Sequence, residues 1–138
     1  MRRLAVVGSL AMTLALIAPA AAASDSSWKA TLTGAGMNGT VTVTITSPTS
    51  ATLAENLTGL TPRTLSVLWL RAGSCTSTSF GVARVRWTVP ATGHLVATVN
   101  LSPSMIGFFR FDMSHRGGVH ATMTDGSKTA CGRLALAG

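Results

Sequence analysis

The clearest pattern in the chain lies in NGTVTVTIT (38–46), where Val41, Val43 and Ile45 alternate with Thr42, Thr44 and Thr46. A two-residue period puts the aliphatic set on one face and the threonines on the other, which predicts a half-buried strand. The same cadence returns along the chain. WKATLTG (28–34) predicts a first strand, SPTS (47–50) a turn, and ATLAENLTGL (51–60) a third strand with Leu53 and Leu57 inward. In TLSVLWLRA (64–72) both sets are apolar, Leu65, Val67 and Trp69 against Leu68 and Leu70, which predicts a central strand covered on both sides. FGVARVRWTV (80–89) alternates again, with Val85, Trp87 and Val89 inward and Arg84, Arg86 and Thr88 outward. PATG closes a hairpin into HLVATVNLS (94–102), and GGVHATMTDG (117–126) and TACGRLALA (129–137) complete the set. SPSMIGFFRF (102–111) supports two readings. Ser102 and Pro103 suit the cap and first position of a helical turn, whereas Phe109 and Phe111 have the spacing of a strand. Eight or nine short strands separated by Gly, Pro, Ser and Asn predict an all-β fold, an antiparallel Greek-key sandwich or barrel.

The first 23 residues break this pattern. Arg2 and Arg3 precede an almost wholly apolar run from Leu4 to Ala18, and Ala21 and Ala23 meet the small-x-small rule for cleavage. These are the marks of a secretory signal peptide over 1–23, and the run is too short and too abruptly ended for a membrane span. The expectation is a secreted protein, extracellular or in the cell envelope or periplasm. Residues 24–138 then form a single β-sandwich domain with no transmembrane anchor in the mature chain. Removing the first 23 leaves 115 of the 138 residues, enough to bury about two thirds of the unfolded surface. Arg2 and Arg3 leave with them, so the formal charge falls from +7 to +5. Modest basicity favours an acidic surface or protein partner. The mature chain lacks a Lys/Arg run, any tyrosine and aromatic–basic interleaving, so nucleic acid is not expected. Cys75 and Cys131 are the only cysteines, and an even count in an exported chain most simply pairs them.

Two segments, GLTPRTLSVLWLRAGSC (59–75) and KTACGRLALAG (128–138), resemble the copper/zinc superoxide dismutase family. That family is a Greek-key β-sandwich whose general architecture is immunoglobulin-like. In it a Gly-Leu turn leads into a strand carrying His-Gly-Phe-His-Val-His, and a cysteine in the next loop pairs with the cysteine of a terminal Ala-Cys-Gly strand. The resemblance implies the Cys75–Cys131 bond and places Leu134 and Leu136 at the last strand's apolar positions. It covers the chain loosely in strand order and closely only at these two segments. It also implies a loss. The strand here reads LSVLWL, so Leu65, Leu68 and Leu70 stand where three histidines belong, and leucine offers no lone pair to a metal. His120 alone matches a copper-ligand position, on the penultimate strand, and one imidazole does not hold copper or zinc. DGSKTACG is far shorter than the family's charged loop and has no counterpart of its anion-guiding arginine. The implied protein is a divergent member lacking most metal ligands.

His120, His115 and His94 are the only histidines and the weak metal candidates, with Asp112 or Asp125 as an oxygen donor. His115 and His120 flank RGG, as if on opposite sides of a hairpin bend. Four carboxylates remain, Asp25, Glu55, Asp112 and Asp125; none forms a spaced pair, and there is no Gly-x-Ser-x-Gly elbow. Neither catalysis nor a cofactor is expected. Arg84 and Arg86, with Arg71 and Arg110 as candidate neighbours, form a candidate basic patch. The simpler reading is solvated sheet positions whose charges discourage edge pairing. The alanine-rich leader and threonine-rich strands look bacterial, so the acceptor triplets at Asn38, Asn56 and Asn100 are read as unmodified. The sequence describes an exported, disulfide-tied, non-catalytic β-sandwich protein with a binding or structural role. The alternative is a degenerate dismutase-like metal-binding protein.

Overall fold

The computed structural model describes residues 25–75 and 81–137; the segment 1–23, read from the sequence as a signal peptide, lies outside the described residues, as do residues 24, 76–80 and 138. Among the described residues nine strands and one helix follow in chain order: β1 (Ser26–Gly34), β2 (Met37–Ser47), β3 (Ser50–Thr58), β4 (Leu65–Ala72), β5 (Gly81–Thr88), β6 (Leu95–Leu101), α1 (Pro103–His115), β7 (Val119–Asp125), β8 (Lys128–Arg133) and β9 (Ala135–Leu136). Neighbours in the sheet run β5-β4-β7-β8-β1-β2-β3-β6, with β9 on β1, and all pairs are antiparallel. The fold is all-β, a Greek-key sheet curled nearly into a barrel. β8 meets β1 through the register pair Thr33↔Cys131. The two ends of the order, β5 and β6, are joined in sequence by the turn 89–94.

The alternation read from the sequence decides which faces pack. Val41, Val43 and Ile45 of β2, Leu53 and Leu57 of β3, and Leu68 and Leu70 of β4 are all buried in one core. Burial of each such side chain stabilises by roughly 1.5–3 kcal/mol. On β5, Arg84, Arg86 and Thr88 point out as expected. β4 differs from expectation. Only its inner face is covered; on the outer one Leu65 is 55% exposed, and Val67 and Trp69 are half-buried.

The ambiguous segment is a helix. Ser102 is its extended N-cap, its hydroxyl accepts the Met105 N–H at 3.3 Å, and Pro103 takes the first turn. Ile106 and Phe109 face inward, and Phe109 meets Trp28 edge-on at 5.2 Å, so α1 plugs the sheet's interior at one end. His115 is therefore in a last helical turn and not at a hairpin bend; Gly117 and Gly118, at φ 76° and 96°, reverse the chain into β7.

Gly132 sits where β8 crosses β1. A Cβ there would run into the Thr31 carbonyl, so glycine at this position lets the two backbones approach this closely. Gly132→Ala should lower stability by about 2 kcal/mol, the scale of overpacking, read as an earlier urea midpoint at unchanged slope. An unmoved midpoint would show that the two strands separate freely here.

Candidate functional site

Asp125, at the end of β7, organises the GLTPRT turn. Its carboxylate accepts the Thr61 N–H at 2.7 Å and the Thr61 hydroxyl at 2.8 Å. The Thr64 hydroxyl lies 3.0 Å from the other oxygen. Burial raises this carboxyl's pKa, but the hydrogen bonds from Thr61 and Thr64 and the Lys128 charge lower it by more, and it stays below the usual aspartate value. The turn is also stitched to the β5–β6 connection by Arg63 N–H to the Val89 carbonyl at 2.9 Å and Leu60 N–H to the Gly93 carbonyl at 3.2 Å. Asp125 is thus spent on architecture.

The strand after this turn carries no ligand set. Leu68 and Leu70 are 1% and 0% exposed in the core, while Leu65 lies on the opposite, outer face. The histidines are held apart by separate local partners. His94 Nε2 lies 2.7 Å from Asn56 Oδ1. His115 stacks on Phe111 at 4.4 Å, with Nδ1 2.7 Å from the Ser114 hydroxyl. His120 is fully buried on the outer side of β7 and donates Nδ1–H to the Gly73 carbonyl at 2.9 Å. Among the described residues no three His, Cys, Asp or Glu side chains are grouped as a metal site. Gly73 opens the loop that Cys75 ties to Cys131, with a 2.03 Å S–S bond and Cα atoms 6.0 Å apart. The loop, His120 and the last long strand form one braced unit.

The Arg84–Arg86 patch has a centre that the sequence does not display. Cross-strand register sets Trp69 beside Arg84 and Val67 beside Arg86 on the outer face. The Arg84 guanidinium lies 5.0 Å from the Trp69 ring centroid, and Arg71, two residues along β4, lies 4.5 Å from it. Such contacts hold charged heads over an aromatic face. Gly81 leaves room for the ring, since a Cβ there would come within 3.0 Å of it. Arg110 is elsewhere, exposed on α1.

The carboxylates sharpen this charge. Glu55, Asp112 and Asp125 are 2%, 6% and 3% exposed, which leaves Asp25 as the one exposed carboxylate. All nine Lys and Arg of the described residues reach the surface, Arg71 partly. Glu55 is the unusual member. It points inward from β3 between Leu53 and Leu57, and neither oxygen has a well-formed hydrogen bond. Burial pushes its pKa to about 7, only partly offset by the nearby Trp87 indole N–H. Compared with models of known protein families and with curated proteins, the chain matches none.

Proposed function

We propose that the chain is an exported, non-catalytic binding module that attaches to polyanionic surfaces through the outward face of β4 and β5. The observation that carries this is Trp69 held by Arg71 and Arg84 on an exposed face of a molecule with a single exposed carboxylate. Uniform positive potential attracts anionic surfaces over distances beyond contact. Export is supported by the leader-like first 23 residues and by the disulfide, which persists in oxidising compartments. Among the described residues no helix is long and apolar enough to cross a membrane. The Cys75–Cys131 pairing is the one that resemblance to the copper/zinc superoxide dismutase family implies, and it supports reading the chain as a diverged relative whose metal positions became core.

The purified protein is expected to bind dextran sulfate at low salt and to release it as salt rises. Arg84→Ala with Arg86→Ala should weaken binding about tenfold or more, at roughly 1 kcal/mol per arginine near an anionic surface. Arg84 packs over Trp69, so stability should fall by about 1 kcal/mol, too little to unfold the domain in the binding assay. Equal binding by the double variant would sink the proposal. Stoichiometric copper or zinc in elemental analysis would favour the metal-protein alternative instead.

A further inference from the structure

On α1, Ser104, Gly107, Phe108 and Phe111 follow the spacing of one helical stripe, and all four are exposed. Phe108 is 61% exposed and Phe111 47%. Together with Gly81 at the start of β5, the stripe lines an open groove. Arg116 lines the same groove, its guanidinium 5.7 Å from the Phe111 ring. Gly81 is also the residue against which the Trp69 ring lies. Gly81 therefore borders both the groove of the exposed phenylalanines and the Trp69 ring of the Trp69–Arg71–Arg84 cluster, which makes the two neighbours. Among the described residues the groove is lined by one carboxylate, Asp112, which is buried and paired with Arg116 at 3.5 Å.

A soluble polyanion would engage the arginines and leave two phenylalanines in water. A second copy of this chain would set like charges against each other. A bilayer with anionic headgroups satisfies both parts of the face, because phosphates meet the arginines and the rings enter the boundary with the acyl chains. Tryptophan favours that same headgroup level. We propose that the polyanion is an anionic phospholipid bilayer, docked on this face with Phe108 and Phe111 inserted; the assignment rests on the polyanion-binding reading above.

The test mixes the purified protein with sedimenting vesicles of phosphatidylcholine alone or with phosphatidylglycerol, and in parallel with dextran sulfate. Wild type is expected to sediment with the phosphatidylglycerol vesicles only. Phe108→Ser with Phe111→Ser should weaken vesicle affinity about tenfold or more, from the lost apolar burial, while dextran sulfate affinity holds. Bromine-labelled lipid should quench wild-type tryptophan fluorescence, and Trp69→Phe should remove most of that quenching. Vesicle binding that survives loss of both phenylalanines, or polymer binding without vesicle binding, overturns the bilayer assignment and leaves the polyanion reading standing. Failure to bind either overturns both.

Discussion

Cys131→Ser should unfold at a temperature at least about 10 °C below wild type. The bond closes a span of 56 residues. In the chain-entropy account, releasing a loop of that size frees the unfolded chain by about 4 kcal/mol. A domain of this length shifts by a few degrees per kcal/mol, and its whole stability is roughly 5–15 kcal/mol. The loss is local as well as entropic. The loop that carries Cys75 also supplies the Gly73 carbonyl that accepts the hydrogen bond from His120 Nδ1–H, so its release exposes a buried imidazole. Scanning calorimetry of wild type, Cys131→Ser and the double serine variant checks this. A shift of only a degree or two would mean that the loop is held by its packing alone.

Glu55→Gln should abolish a pH dependence that wild type shows strongly. Below pH 4.5, the ordinary glutamate value, folded and unfolded chains both carry the proton and Glu55 has no net effect. Between that value and about 7 the unfolded chain releases its proton while the folded chain keeps it. Stability then falls by about 1.4 kcal/mol per pH unit, about 3 kcal/mol across the window, and levels off above it. Asp125 acts in the opposite sense and lower down. Its pKa is depressed in the fold, so its stabilisation is complete above the ordinary aspartate value and disappears only in acid. Urea unfolding at pH 5 and pH 8 separates the two. Wild type should lose most of that stability between these values, and the glutamine variant should be nearly flat. A wild type equally stable at both would place the Glu55 carboxyl in contact with water.

The strands were legible because the threonine–valine alternation in β2 and the arginine–valine alternation in β5 each admit only one inward face. The last long strand was read from the spacing of its residues, and its cysteine's pairing from the even cysteine count as well as from the resemblance. α1 was not settled by pattern, because Phe109 and Phe111 fit a strand face equally well. In the helix they lie about 200° apart, which is why one is buried and the other open to solvent. β4 misled for a different reason. Of its second apolar set, Trp69 lies under arginines of its own sheet and not under another layer, and Leu65 stays open to solvent. Long side chains cover apolar surface with their stems while keeping the charge in water. Glu55 was readable in part, since alternation with Leu53 and Leu57 turns it inward. Its lack of a well-formed partner depends on Trp87, a strand end far away in sequence. The Asp125–Thr61 contact spans 64 residues and leaves no local trace.

The interior placement of three carboxylates also governs how copies of the molecule behave toward one another. Proteins of mixed surface sign form fleeting pairs through complementary charges; this one presents almost a single sign to its neighbours. Mutual repulsion opposes pairing of copies in dilute buffer, and it weakens as the screening length shrinks to about 8 Å at physiological salt. Crowding of copies and the proposed adhesion to an anionic support would therefore respond to ionic strength in opposite directions. The dilute conditions that best disperse the protein in solution are those in which it would hold most tightly to a negatively charged surface.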